Sequence, residues 1–322
     1  MNRSVMSLSG GMDSTALLLR MIAEGDDITC ISYDYGQKHL IEIDRARDNI
    51  SYLRENGHNV EHFVVDLSSA MQSLHSALTS EDIVVPEGHY ESEQMKQTVV
   101  PNRNAIFSSI LYARALSTAI SENCQVRIAL GVHSGDHEIY PDCRPEFYQS
   151  LERAFSIGNW DSDRVSFHLP YISFDKTIIL QDALESCTSL GLDFDIVFSN
   201  TNTSYNPDTN GRSSGRSGAD VERILAFHAI GRVDPLQYVH DWASVLNYAL
   251  DQERQGGSRG VTTFQGSTQI GIRNGEKGSQ ICNITLLGRR VQSHQIQEFT
   301  TWRTERVIIC AFAADIYCLP LR

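Results

Sequence analysis

Seven consecutive residues near the start of the chain, Ser9-Gly10-Gly11-Met12-Asp13-Ser14-Thr15, have the types and spacing of an anion pocket. Paired glycines let a backbone take positive φ and bring its N–H groups against an anion. A helix opening directly after them adds the positive end of its dipole. Ser9, Ser14 and Thr15 supply short hydroxyl donors, while Asp13 caps the helix or helps hold a magnesium ion. Ser7 and Leu8, which lead into the loop, complete the candidate set. Such a pocket is chemically complete for a pyrophosphate. No Gly-Lys-Ser or Gly-Lys-Thr ends the loop, which argues against transfer of a γ-phosphoryl group.

The loop must stand between a strand and a helix, and the surrounding pattern provides both. Residues 5–8, 28–33, 60–65, 126–132 and 167–169 read as strands, and residues 15–23, 42–56, 103–121, 146–156 and 176–190 as helices. This alternation predicts an α/β fold: a Rossmann-like, doubly wound parallel sheet with helices on both faces and ligands at the carboxyl edge of its strands. Residues 84–97 are polar and irregular, as either an active-site flap or a plain surface loop would be. Residues 199–220 are dense in Ser, Asn, Gly and Thr, the composition of a mobile loop. A division into a nucleotide-binding domain over 1–250 and an extension over 251–322 is expected. In the extension, short β-like pieces surround an Asn274-Gly275 turn signal and precede an apolar stretch over 307–321.

The 322 residues are 41% hydrophobic, enough for one large domain with an appendage. There is no run of eighteen apolar residues and no signal-peptide pattern before Ser9, so a cytoplasmic protein without a membrane partner is expected. Seven cysteines without C-x-x-C spacing read as reduced thiols. The net charge of −13 is uneven: residues 252–322 hold nine Lys/Arg against five Asp/Glu, or +4, which leaves −17 on residues 1–251. That acidic body argues against a nucleic-acid partner and favours small-molecule substrates.

Ser-Gly-Gly-x-Asp-Ser resembles the PP-loop of the ATP pyrophosphatase superfamily, whose members cleave ATP between the α and β phosphates and adenylate an oxygen. Further stretches agree with one family within it: Tyr35-Gly36-Gln37-Lys38-His39 with Glu42, Val100-Pro101-Asn102-Arg103-Asn104, and Gly131-Val132-His133 with Asp136. To these add Tyr140-Pro141-Asp142-Cys143-Arg144-Pro145-Glu146-Phe147 and Val221-Glu222-Arg223, followed by Asp234-Pro235 and Tyr238. Together they resemble the 7-cyano-7-deazaguanine synthase (QueC) family over about residues 1–245. The resemblance implies a ligase that adenylates 7-carboxy-7-deazaguanine with ATP and Mg2+, forms an amide with ammonia and dehydrates it to the nitrile. It also suggests a homodimer. Asp13, Lys38, Arg103 and Lys176 are then the candidate catalytic residues, the three cations standing against phosphates or the substrate acid. A guanine-like edge presents N–H donors, so Asp136 or Asp142 is a suitable acceptor, with Asn104 and Arg144 completing the substrate side. Each has a plainer reading: Lys38 as a solvated cation, and Asp142 with Arg144 as a pair stiffening the turn after Pro141. His39 and His133 read as structural, Cys143 as a buried small side chain and Tyr140 as packing.

The sequence departs from the family at one point. A Cys before Tyr and a Cys-Gly-x-Cys-x-x-Cys run hold a structural zinc in the family. The matching positions here are Ser204 and Ser214-Gly215-Arg216-Ser217-Gly218-Ala219-Asp220. Hydroxyls are not the soft anionic ligands of tetrahedral zinc, so no metal is expected there. Structural zinc contributes on the order of 10 kcal/mol in zinc-finger peptides, and residues 256–322 are a candidate for restoring order in its absence. Zinc-less relatives occur in bacterial anti-phage operons, where a related activity joins a deazaguanine acid to a protein amine. An enzyme of that kind stops at the amide, and the sequence does not separate the two outcomes. Another PP-loop adenylating enzyme, such as a tRNA thiolase or amidotransferase synthetase subunit, and a non-catalytic nucleotide-binding protein are the competing readings.

Overall fold

The computed structural model describes residues 2–37, 41–74, 76–78, 97–133, 135, 140–204, 207–208 and 210–259, and the backbone of short strands between 270 and 320. Five parallel strands form the central sheet: β1 (Arg3–Ser7), β2 (Asp27–Asp34), β3 (Glu61–Asp66), β4 (Val126–Ala129) and β5 (Val165–His168), in the order β3-β2-β1-β4-β5. Val5 pairs with Thr29 on one side and Ile128 on the other, which fixes β1 at the centre. The helices are α1 (Met12–Ala23), α2 (Ile41–Glu55), α3 (Ser68–Met71), α4 (Arg103–Glu122), α5 (Pro145–Gly158), α6 (Lys176–Leu190), α7 (Phe194–Ser199), α8 (Gly218–Ala229) and α9 (Trp242–Arg259).

Side chains alternate across the sheet, so each strand feeds two cores. Met6, Ile28 and Cys30 face a cluster with Leu17 of α1, Leu180 of α6 and Phe198 of α7. Val5, Ile31, Tyr33 and Ile128 face the other, with Leu111 and Tyr112 of α4 and Tyr148 of α5. Burial on both faces is why the strands read as near-continuous apolar runs rather than alternating ones. The edge strand β3 is the exception, with Phe63 45% exposed.

The chain divides into two compact units, Met1–Val261 and Thr262–Arg322. The second contains an antiparallel ladder of β8 (Thr300–Thr304), β9 (Val307–Phe312) and β10 (Asp315–Pro320), besides the two-residue strands β6 (Ile270–Gly271) and β7 (Ile281–Cys282). The Asn274-Gly275 turn lies outside the described residues, as does the 84–97 segment except Gln97. Among the described residues, no helix is long and apolar enough to cross a membrane.

The polar stretch 199–220 corrects an expectation. Its described residues are not loose: Ser204, Ser213 and Ser217 are buried, and its last three residues are the first turn of α8. The serine hydroxyls here are satisfied by Asp220 and by backbone N–H groups, and the Asn202 amide by the Ser204 carbonyl, instead of turning to water, a use of such side chains that composition alone does not reveal.

Candidate active site

The sheet changes direction at β1, which passes the chain to β2 on one side and meets β4 on the other. An open parallel sheet leaves its crevice at such a switch point. A cleft of about 220 Å³ opens there, and the first turns of five helices contribute to its lining: Met12 and Asp13 of α1, Glu42 and Ile43 of α2, Arg103 and Asn104 of α4, Lys176 of α6 and Ala219 of α8. A helix N-terminus carries the positive end of a dipole; α6 and α8 are capped by Asp175 and Ser217, whereas no side chain caps α1.

Within the loop the two glycines do different work. Gly10 has φ +82°, and a Cβ built on it would lie 2.0 Å from the Glu42 carbonyl oxygen, so only glycine lets the loop press onto α2. Gly11 has an ordinary φ of −83° as the N-cap of α1, a correction to the expectation that both glycines supply positive φ. A Cβ on Gly131, just past β4, would meet the Asp13 carbonyl carbon and Ser14 N at 3.0 Å, and so the loop is clamped from that side as well.

The hydroxyls of Ser9 and Ser14 are bonded at 2.9 Å, Gly11 N–H donates to Ser9 Oγ and Ser9 N–H donates to Ser14 Oγ. Ser7, Ser9, Gly11, Met12, Asp13 and Ser14 line the cleft. Leu8 lies wholly in the core and Thr15 is buried one turn into α1; neither they nor Gly10 belong to the lining.

Asp13, the second residue of α1, does not cap it. Its Oδ2 lies 3.9 Å from Lys176 Nζ and 3.6 Å from His133 Nε2, whereas its Oδ1 has no hydrogen-bond partner among the described residues. Lys176 opens α6 behind an Asp175 cap and is only 8% exposed. Its ammonium also lies 3.0 Å from Glu222 Oε2, close enough for an ion pair although not aligned as a hydrogen bond. Gly135 N–H donates to His133 Nδ1, which leaves the ring proton on Nε2, on the side of Asp13.

On the opposite wall, Arg103 lies over the Tyr35 ring with 5.9 Å to its centroid, and Tyr33 and Phe107 stack at 4.0 Å with 7° between planes. Glu42 sits between Arg103 and Asn202. Burial raises its carboxyl pKa to about 7, against the lowering pull of the Arg103 charge and an Asn202 hydrogen bond. Glu42 and Glu222 are functional candidates to which the sequence assigned no role, and His133, read there as structural, lines the cleft as well. All three fall inside the quoted motif blocks, which was the available signal.

Asn104 lines the cleft, its Nδ2 donating to the Asp142 carbonyl and, at 3.4 Å, to Cys143 Sγ. Asp142 is half-buried outside the lining and accepts from Asn104 N–H at 3.4 Å, so it reaches the cleft through Asn104. Arg144 is exposed as the N-cap of α5, also outside the lining. Cys143 is buried in the lining, and Tyr140 OH shares a 2.6 Å bond with Thr98 Oγ1. Lys38, His39 and Asp136 lie outside the described residues.

Residues 3–231 match the family model of the queuosine biosynthesis protein QueC. The chain belongs to the QueC family. It is 41% identical to 7-cyano-7-deazaguanine synthase 1 of Colwellia psychrerythraea over 234 residues, 73% of this chain and 97% of that relative. The 7-cyano-7-deazaguanine synthase of Caldicellulosiruptor saccharolyticus is 42% identical over 236 residues, 73% of this chain and 95% of the relative. Among solved structures, the NMN synthetase of Francisella tularensis aligns with a TM-score of 0.35 and 14% identity over 80% of this chain and 87% of that one. That distance carries nothing about the site. The QueC match ends at 231, so the segment Thr262–Arg322 falls outside the family's span.

Proposed function

We propose that this QueC-family chain is an ATP-dependent ligase that converts 7-carboxy-7-deazaguanine and ammonia into 7-cyano-7-deazaguanine in the cytoplasm. The observation that carries the reading is the cleft itself, in which a glycine loop, two cations and a flat aromatic wall converge at the switch point of a QueC-family sheet. A carboxylate is a poor electrophile until one oxygen leaves as AMP. The acid's oxygen attacks the α-phosphorus of ATP, the bond to the bridging β-oxygen breaks, and diphosphate departs. Ammonia then displaces AMP to give the amide. A second adenylation, at the amide oxygen, ends in loss of AMP and two protons from nitrogen, leaving the nitrile.

In this reading the α1 dipole and those loop N–H groups that the Ser9 and Ser14 hydroxyls do not already take hold the departing diphosphate. Lys176 and Arg103 balance charge as it develops. The lone Oδ1 of Asp13 is a hard anionic oxygen, and it fits magnesium, which would neutralise the phosphates when bound. The stacked Tyr33–Phe107 pair supplies a flat wall for a purine ring. Asn104 meets the substrate edge with Asp142 as its positioning residue. Asp136 is the further acceptor, and Lys38 a third cation.

The test is incubation with ATP, magnesium and 7-carboxy-7-deazaguanine, with and without ammonia, followed by mass analysis. AMP and the nitrile are expected. ADP, or no nucleotide turnover, overturns the reading, and AMP with the amide alone overturns the nitrile step.

A further inference from the structure

The four positions that correspond to the zinc cysteines of the family come together, but around a carboxylate. Asp220 is fully buried. Its Oδ1 accepts from Ser213 Oγ at 2.6 Å; its Oδ2 accepts from Ser204 Oγ at 3.2 Å, Ser217 N–H at 3.2 Å and, weakly, Ser214 Oγ at 3.5 Å. Ser217 Oγ in turn accepts from Asp220 N–H at 3.2 Å, closing a capping box at the start of α8. This donor set does not fit zinc. It has one carboxylate and no thiolate or imidazole, and both carboxylate oxygens are already occupied by donors. Among the described residues no group of three or more His, Cys, Asp or Glu is placed to hold a metal ion.

The cluster does not end at the loop it folds. Ser204, one of its donors, accepts through its carbonyl from Asn202 Nδ2 at 3.0 Å, and Asn202 N–H donates to the Gly10 carbonyl at 2.9 Å. Asn202 and Thr203 line the cleft. Three hydrogen bonds thus run from Asp220 to the left-handed glycine of the phosphate loop.

We propose that Asp220, with the serine hydroxyls around it, replaces a structural metal as the tie between residues 202–204 and α8, and is a positioning residue for the nucleotide loop. The chain holds this wall of its cleft without zinc. A carboxylate that gathers hydroxyl and N–H donors joins the same segments a metal would, through bonds of ordinary length. The proposal rests on the loop's holding ATP, so its test reads metal content, folding and nucleotide binding rather than turnover.

Purified protein should carry no stoichiometric zinc by elemental analysis, and a strong zinc chelator should leave its melting temperature unchanged. Ser204→Ala keeps Asp220, its other donors and the Asn202 bond to the residue 204 carbonyl, but removes the hydroxyl that ties residue 204 to Asp220. It should weaken binding of a non-hydrolysable ATP analogue with magnesium, measured by calorimetry, about five- to tenfold, the worth of one net hydrogen bond. Asp220→Ala should lower the melting temperature more than Ser204→Ala does, and if it fails to fold, Asp220→Asn is the second variant. Replacing Ser204, Ser214, Ser217 and Asp220 together by Cys should create a site that takes up one zinc per chain and regains analogue binding. One zinc per chain in the native protein, unfolding by chelator, or unchanged analogue affinity in Ser204→Ala would each overturn the proposal.

Discussion

Replacing Gly10 by Ala separates a loop that must press on α2 from one that merely follows β1. The new Cβ would sit 2.0 Å from the Glu42 carbonyl oxygen, 2.9 Å from its carbon and 3.2 Å from Ala46 N, inside the first turn of α2. Backbone atoms of a helix do not give way as the end of a flexible side chain would, so the loop must retreat by about 1 Å. An alanine at φ +82° costs about 1–2 kcal/mol, and wedging open one helical hydrogen bond about 1 kcal/mol more. A total near 3 kcal/mol lowers the melting temperature by about 6–12 °C in a unit of this size. Diphosphate release suffers by a similar amount, because a displacement of about 1 Å at a reacting group costs about a hundredfold in rate. Gly11→Ala is the control: at φ −83° its Cβ meets only Ser9 Oγ at 3.2 Å and the Asn202 carbonyl at 3.4 Å, contacts that small shifts relieve. Calorimetry and a diphosphate-release assay on both variants check the expectation. Equal melting temperatures and equal kcat/KM for the two would refute the account of the loop.

Other outcomes follow from the same geometry. Lys176→Met should lower kcat for diphosphate release by about 10²–10³, as loss of a transition-state donor does; a change under about tenfold would reduce Lys176 to a partner for Glu222. The Glu42 carboxyl is raised from 4.5 to about 7 by burial, so the folded state binds its proton more tightly than the unfolded state does. Its contribution to stability is complete below about pH 4.5 and is lost as pH rises through about 7. Glu42→Gln should therefore flatten the fall in melting temperature between pH 5 and 7, and an unchanged pH profile would contradict this. Arg223 is wholly buried with Asp234 and donates to it at 2.6 and 2.9 Å, so Arg223→Met should cost about 3–5 kcal/mol in urea unfolding by stranding that carboxylate. A loss below about 1 kcal/mol would show that Leu236 N–H and Tyr238 OH, which also donate to Asp234, suffice to hold it.

Much of the architecture was legible because periodicity reports burial. The five strands and the helices α1, α2, α4, α5 and α6 fall within three residues of their expected starts, since most present a strand- or helix-period apolar face to a core. Helices α7 to α9 were not assigned: α7 has six residues, and α8 opens inside a run of Ser and Gly that reads as loop. The phosphate loop was legible as a motif, but not the division of labour between its glycines, which depends on how closely α2 approaches. Asp142 and Arg144 sit in a recognisable block, yet the turn after Pro141 carries both outside the cleft lining and leaves Asn104 to face it. Glu42 and Asp220 owe their character to burial among particular partners, and no spacing in the chain encodes that.

An acidic chain that binds a polyphosphate looks like a contradiction until net and local charge are separated. The first 251 residues carry −17, and the cleft has carboxylates of its own in Asp13 and Glu42. Against them stand only two described lining cations, Arg103 and Lys176, and Lys176 is close to both Asp13 and Glu222. What tips the balance is backbone. Five helices open on the cleft; Asp175, Ser217 and Asp142 already take first-turn N–H groups of α6, α8 and α4, whereas α1, which no side chain caps, keeps the positive end of its dipole, equivalent to about half a charge, for a ligand. Side-chain carboxylates then become assets, since one can recruit a divalent cation while the N–H groups hold phosphate oxygens. A compact diphosphate needs only converging helix ends, not an extended run of surface cations.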